Sequence, residues 1–172
     1  MPQLLGEYDC KIDAKGRMRM PSQLLKQLGE AEIHHFVVKR GNEKCLVLYP
    51  RENWLKVTKD FANPNPFDVK RDHFIRSFHR GATEISTDSA DRILLSKRFM
   101  RYANLEKEVI LNAYNDKIEI WDEAAYEEMM DQSPEEFATL ADEAIAQQEK
   151  REAAETKVSS EPGGAAGWTS DQ

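Results

Sequence analysis

The chain has 172 residues, of which 32% are charged, and its formal net charge is −7. That length allows one or two small domains, and halves of about 70 residues would each have only a marginal core alone. No apolar run approaches the roughly 20 residues that cross a bilayer, and the start "MPQLLGEYDC" lacks the features of a secretory signal, so we expect a cytoplasmic protein with no membrane partner.

The first predicted element is a strand-turn-strand unit around "DAKGR", residues 13–17. Apolar residues alternate with polar ones on both sides of it, namely Tyr8, Cys10 and Ile12 before and Met18 and Met20 after. This period of two is typical of strands. "AKG" is then a three-residue loop in which Gly16 suits a left-handed conformation. The loop places Asp13 opposite Arg17, where the carboxylate can orient the guanidinium.

A short amphipathic helix, "PSQLLKQLG", and a strand followed by a helix, "KCLVLYPRENW", complete this unit. Cys10 and Cys45 are the only cysteines; both lie in apolar strand patterns without a C-x-x-C pair, which favours buried free thiols. Two helices with aromatic residues should follow, separated by the Asn-Pro-Asn-Pro turn at 63–66 and closed by Gly81. Their aromatic side chains predict a helix-helix core.

The same order of elements then returns. Thr83, Ile85 and Thr87 alternate before "DSADR", residues 88–92, and "SKRFMRYAN" and "DKIEIWDEAAY" correspond to the later elements of the first unit. The chain is therefore a tandem duplication of an α+β unit, with residues 1–80 as the first module and 81–148 as the second. The second loop has Asp91 in place of glycine, and Asp tolerates the left-handed conformation better than most residues.

The C-terminal part begins with a capping box, Ser133 and Glu136, followed by a helical apolar stripe. Residues 149–172 contain few apolar residues and a Pro-Gly-Gly break, which predicts a disordered tail. Charge also divides the chain. Residues 1–102 carry 19 Lys and Arg against 13 Asp and Glu, a net of +6, whereas residues 103–172 carry 5 against 18, a net of −13. A polyanion could therefore bind the first part despite the overall charge.

Three stretches together resemble the MraZ family of bacterial transcriptional regulators associated with the division and cell-wall gene cluster: "GEYDCKIDAKGRMRMPSQL", "DSADRILLSKRF" and "YNDKIEIWDEAAYE". The resemblance covers about residues 4–148. It implies two AbrB-like swapped-hairpin modules related by a pseudo-two-fold axis, and a ring-shaped homo-oligomer associated with the nucleoid. It also implies that the Asp-x-x-x-Arg surfaces bind double-stranded promoter DNA at repeated sites.

The residues that would carry this binding fall into two groups. DNA would be contacted by Lys11, Lys15, Arg17, Arg19 and Arg92, whose charge suits phosphates and guanine edges. The loops would be oriented by Asp13, Gly16 and Asp88. Asp91 places a negative charge in the second loop, so we expect Arg92 to contribute less than Arg17.

Other functions find less support in the sequence. There is no G-x-S-x-G, phosphate-binding glycine loop or H-E-x-x-H motif, which argues against an enzyme, a cofactor and a small-molecule substrate. His34 and His35 are adjacent, and His73 and His79 stand six apart, spacings unlike those of zinc sites. The remaining alternative is an oligomeric interaction protein that uses its acidic C-terminal half and binds DNA only non-specifically.

Overall fold

A computed structural model describes residues 3–62 and 67–159 of the chain. Within these residues the strands are β1 Leu4–Lys11, β2 Arg17–Arg19, β3 His35–Arg40, β4 Leu46–Pro50, β5 Thr83–Ser86, β6 Arg92–Leu94, β7 Glu108–Asn115 and β8 Lys117–Asp122. The α-helices are α1 Ser22–Gln27, α2 Arg51–Val57, α3 Val69–Phe78, α4 Lys97–Tyr102, α5 Glu123–Met130 and α6 Pro134–Ser159. A 3-10 helix, Lys59–Ala62, follows α2, and the Asn-Pro-Asn-Pro turn predicted next lies outside the described residues.

The strands form a six-stranded antiparallel sheet in the order β1-β7-β8-β4-β3-β5, and β2 pairs with β6 in a separate two-stranded ribbon. In the sequence repeat, β1 corresponds to β5, β2 to β6, β3 to β7 and β4 to β8. When each strand is replaced by its counterpart in the other copy, the sheet order reads the same from the opposite end. A pseudo-two-fold axis therefore lies between β4 and β8. The predicted duplicated α+β fold is confirmed.

The two copies exchange their first strands. β1 pairs with β7 over eight residues, from Leu4 opposite Asn115 to Lys11 opposite Glu108, and β5 pairs with β3 of the first copy. Strand pairing thus joins residues of the predicted modules 1–80 and 81–148, and those bounds stay a prediction. Two compact units divide between Met129 and Met130, and both copies contribute strands to the first of them.

The main core lies between one face of the large sheet, the ribbon and the short helices α1 and α4. Met18 and Ile93 on the inner face of the ribbon are completely buried, as is Leu24 on α1. Each such side chain contributes about 1.5–3 kcal/mol by leaving water. Ser96 stands where the first copy has Pro21, and its hydroxyl accepts a hydrogen bond of 3.2 Å from the Phe99 backbone N–H, capping α4. This packing holds the ribbon in a fixed position on the sheet.

The predicted aromatic core between the connecting helices is also present. Trp54 on α2 stacks on Phe78 of α3 with ring centroids 5.6 Å apart, and Phe61 meets Phe78 edge-to-face at 5.1 Å. His79 packs against Trp54 at 5.3 Å and so joins this aromatic core. The C-terminal cap of α3 is His79, and the predicted Gly81 follows two residues later with a positive φ of 76°.

The second compact unit contains α6, whose predicted capping box is confirmed. The backbone N–H of Ser133 donates to the Glu136 carboxylate at 2.8 Å, and that of Glu136 donates to Ser133 Oγ at 3.2 Å. The helix extends to Ser159, so the prediction of disorder from residue 149 is wrong over 149–159. Its Ala, Glu, Lys and Arg residues are strong helix formers although few are apolar. The rest of the predicted tail, 160–172, lies outside the described residues.

Among the helices of the described residues, no helix combines the length and apolar character required to cross a bilayer.

Candidate nucleic-acid interface

The first Asp-x-x-x-Arg loop is a closed hydrogen-bonded turn. Asp13 Oδ1 accepts hydrogen bonds of 2.9 Å from the backbone N–H groups of Lys15 and Arg17, and Oδ2 accepts one of 2.7 Å from Arg17 Nε. The backbone N–H of Gly16 donates to the Asp13 carbonyl at 3.0 Å. Gly16 has a φ of +84°, the left-handed conformation predicted from the sequence. A Cβ at this residue would lie 2.6 Å from the Leu95 carbonyl oxygen, so the site requires glycine.

The second loop repeats this geometry bond for bond. Asp88 Oδ1 accepts from the backbone N–H groups of Ala90 and Arg92 at 2.9 Å, and Oδ2 accepts from Arg92 Nε at 2.8 Å. Asp91 takes the place of glycine with a φ of +58°. The predicted tolerance of Asp at this left-handed position is confirmed.

The carboxylate in each loop is held in its charged form. The backbone N–H of Arg17 is the main cause that lowers the pKa of Asp13, and the Arg17 guanidinium and the Lys15 N–H add to it against a partial opposition from burial. The backbone N–H of Arg92 does the same for the pKa of Asp88. Within the described part of the chain, each guanidinium uses only Nε for these bonds, which leaves both Nη groups as donors for a ligand.

The ribbon joins the two loops. Arg17 lies opposite Leu94 and Arg19 lies opposite Arg92 in the β2–β6 pairing. Two further bonds of 2.8 Å cross between the copies, from the Leu95 N–H to the Gly16 carbonyl and from the Met20 N–H to the Asp91 carbonyl. Because Met18 and Ile93 point inward, the outer face of the ribbon carries Arg17, Arg19, Arg92 and Leu94.

Each loop is therefore surrounded by residues of the other copy. A surface cavity of about 930 Å³ beside the first loop is lined by Lys15 together with Lys97 and Arg101 of α4, and its one carboxylate is Glu106. Lys97 and Arg101 were not among the residues predicted from the sequence. They could have been found only from the correspondence of α4 to α1 combined with the exchange of strands.

The second loop has a different neighbourhood. A cavity of about 700 Å³ beside it is bordered by Asp91 and, from the first copy, by Glu7, Asp9, Lys11 and Arg19. The Glu7 carboxylate accepts a hydrogen bond of 2.6 Å from the Tyr126 hydroxyl. Two basic and three acidic residues thus border this cavity, whereas three basic residues and one acidic residue border the cavity beside the first loop.

The structure separates residues that the sequence placed together. Lys15 is exposed in the first loop beside Arg17, as expected. Arg19, by contrast, lies with the second loop, and Lys11 belongs to the large sheet, where its ammonium is 3.9 Å from Glu108. The positive surface of the first loop comes from α4 of the second copy instead.

Comparison with known proteins agrees with the duplicated architecture. The family model described as "MraZ protein, putative antitoxin-like" matches residues 3–76 and 78–148. The chain belongs to the MraZ family. The two matched segments of the MraZ model follow the tandem repeat, and in this chain the pairing of β1 with β7 and of β5 with β3 exchanges the first strands between the two copies.

Curated relatives cover nearly the same residues. The chain is 40% identical over 146 residues to a protein named transcriptional regulator MraZ from Christiangramia forsetii, spanning 84% of this chain and 94% of the relative. Proteins of the same name from Cytophaga hutchinsonii and Flavobacterium psychrophilum are 36% and 38% identical, with 84% of this chain and 96% and 93% of the relatives covered.

The described residues give little support for metal binding or for reactive thiols. No cluster of three or more His, Cys, Asp or Glu side chains among them is arranged to hold a metal ion. Burial raises the pKa of the Cys10 thiol to about 11 and that of Cys45 to about 12, so both thiols stay protonated at neutral pH. The prediction that they are buried and free is confirmed.

Proposed function

We propose that this MraZ family member is a sequence-specific DNA-binding transcription regulator that reads promoter DNA with the β2–β6 ribbon and its two loops. The observation that carries the proposal is the orientation of Arg17 and Arg92 by Asp13 and Asp88, at 2.7 and 2.8 Å, on an outer face that also bears Arg19. The three relatives are named transcriptional regulators, which supports the same function.

The physical reason is that an oriented guanidinium can discriminate between bases. Arginine donates two parallel hydrogen bonds to O6 and N7 of guanine, and a two-stranded ribbon fits the major groove. The carboxylate restrains the guanidinium before DNA arrives, so less side-chain entropy is lost on binding. Lys15, Lys97 and Arg101 would contact phosphates, which position a protein on DNA without reading its sequence.

We further propose that the target is the promoter of the division and cell-wall gene cluster, bound at repeated sites by a ring-shaped homo-oligomer associated with the nucleoid. Exposed apolar side chains near α3 support assembly, since Phe67 is 91% and Val69 77% exposed. One chain presents only two loops, and linking several chains multiplies affinity through effective concentration. Light scattering should therefore give a mass well above 19.8 kDa at micromolar concentration; a monomer would contradict the ring.

DNA binding itself is tested by titrating the protein onto a duplex from that promoter and onto a random duplex at several salt concentrations. A steep loss of affinity with salt reports phosphate contacts, and a large preference for the promoter reports base contacts. A shallow salt dependence without preference would remove the proposed function.

One observation favours the alternative of an acidic interaction protein. Phe137, Leu140 and Ile145 on α6 are each more than half exposed and stand among acidic residues. In that case the acidic C-terminal part binds a protein partner and the chain binds DNA only non-specifically. Equal affinity for the promoter and the random duplex in the titration above would support this alternative.

A further inference from the structure

Leu94 occupies an unexpected place on the ribbon. Its side chain is 59% exposed on the outer face, directly opposite Arg17 in the strand pairing. Side chains that face each other across an antiparallel pair lie about 4.5–5.5 Å apart at Cβ. Any ligand engaged by the Arg17 guanidinium is thus within reach of this isobutyl group.

Leu94 contributes little to holding the ribbon in place. Its neighbours Ile93 and Leu95 point inward and are at most 2% exposed, so they supply the strand's hydrophobic anchor. The corresponding residue of the first copy is Arg19, which shows that the outer face accepts a long cation at this position. A single exposed leucine is ordinary on a protein surface. This one differs because it replaces a cation in the middle of the proposed DNA-binding face.

The chemistry of a leucine side chain restricts what it can recognise in DNA. It cannot donate to phosphates or to base edges, and the apolar group that the major groove displays is the C5-methyl of thymine. We propose that Leu94 is a specificity-determining residue that packs against a thymine methyl next to the group engaged by Arg17. This inference rests on the proposed function.

The two ends of the ribbon then read DNA differently. The first loop combines Arg17 with Leu94, and the second combines Arg92 with Arg19. The DNA site recognised by this face therefore has a thymine at one end. The symmetric position at the other end of the site does not require a thymine. Each subunit therefore binds its site in one orientation, although its backbone has a pseudo-two-fold axis.

The experiment compares the promoter duplex made with thymine and the same duplex made with uracil, which lacks only the methyl groups. The wild type should bind the uracil duplex about fourfold more weakly, the factor expected for one buried methyl group. Leu94→Ala should bind the thymine duplex about as weakly as the wild type binds the uracil duplex. Its affinity should not fall further when uracil replaces thymine. The matched control is Leu5→Ala, which shortens a leucine that is 75% exposed on β1 and should keep the wild-type ratio.

The outcomes are distinguishable. If the wild type and Leu94→Ala showed the same ratio of affinities for the thymine and uracil duplexes, the inference would be wrong. The proposed function would still stand if the wild type preferred the promoter to the random duplex. A lower oligomer mass for Leu94→Ala would assign the residue to a subunit contact and would also overturn it. If the wild type bound the promoter and the random duplex with equal affinity, both the inference and the proposed function would be wrong. Thermal melting checks that Leu94→Ala stays folded, as an exposed substitution should.

Discussion

The two Asp-x-x-x-Arg loops have almost the same internal geometry and different surroundings. Their ion pairs differ by 0.1 Å, at 2.7 and 2.8 Å, and the two arginines are 35% and 36% exposed. The cavity beside the first loop is bordered by three basic residues and one acidic residue, and the cavity beside the second by two basic and three acidic residues. Local hydrogen bonds thus orient both arginines equally. We expect the neighbouring elements to determine how strongly each loop attracts a polyanion.

The largest effect should follow from Arg17→Ala. We expect a loss of promoter affinity of about a hundredfold or more, because a bidentate arginine contact discriminates by roughly tenfold to a hundredfold and the assembly repeats it. Fluorescence anisotropy on the promoter duplex measures the loss. Folding and oligomer mass should be unchanged, since Arg17 lies on the outer face. Wild-type affinity would show that the first loop does not recognise DNA.

The first loop has Gly16 where the second has Asp91, and this difference predicts the next effect, a change in stability. Gly16→Ala should lower the free energy of unfolding by about 1–3 kcal/mol, the usual cost of a strained backbone conformation, because its Cβ would meet the Leu95 carbonyl oxygen. Asp91→Ala is the matched control, since that residue already carries a Cβ at positive φ, and it should cost less. Urea unfolding compares them, and equal losses would mean that the two loops fit their surroundings alike.

Arg92→Ala should have a smaller effect than Arg17→Ala. We expect a loss of about tenfold, because the Asp91 carboxylate in the second loop opposes the counterion release that drives association. The same promoter duplex and salt series should be used for both variants. If both arginine variants lost affinity equally, the electrostatic difference between the loops would have no role in binding.

Asp91→Gly restores the residue found in the first loop and removes one carboxylate. We expect a gain in promoter affinity of a few-fold and a steeper salt dependence, since a like charge near phosphates is removed. The turn should fold, because glycine takes positive φ readily. Titrations at several salt concentrations measure the change, and an unchanged slope would place Asp91 away from the DNA.

The smallest difference between the loops should be in their pH dependence. Both aspartates have a lowered pKa, so their stabilising contribution is complete above the ordinary carboxyl value and is lost only as pH falls through the lowered one. Neither loop should titrate between pH 5 and 8. In Arg17→Ala the pKa of Asp13 should stay below its ordinary value, because the backbone N–H of residue 17 is the main cause and remains.

Carboxyl NMR titration checks this prediction. The pKa of Asp88 in Arg17→Ala is the internal control and should match the wild type. A pKa of Asp13 at its ordinary value would show that the guanidinium, and not the backbone, is the main cause of the shift.

The interior of each loop could be predicted from the sequence because its bonds are local. Asp13 contacts residues two and four positions away, and the left-handed residue precedes the arginine in both copies. The alternating strands, the buried cysteines and the capping box at Ser133 depend equally on nearby residues. Low apolar content predicts disorder from residue 149, but α6 continues to Ser159 because residues 149–159 have high helix propensity.

The α+β elements and the oriented arginines could be predicted from spacings of a few residues, and the tandem repeat from the second occurrence of the same pattern. Which copy surrounds which loop depends instead on how the chain folds. Arg19 faces Arg92, Leu94 faces Arg17, and α4 lines the first loop because antiparallel pairing joins residues more than 70 positions apart. That register is fixed by burying Met18 and Ile93 together against the sheet, a requirement of packing that local sequence patterns do not contain.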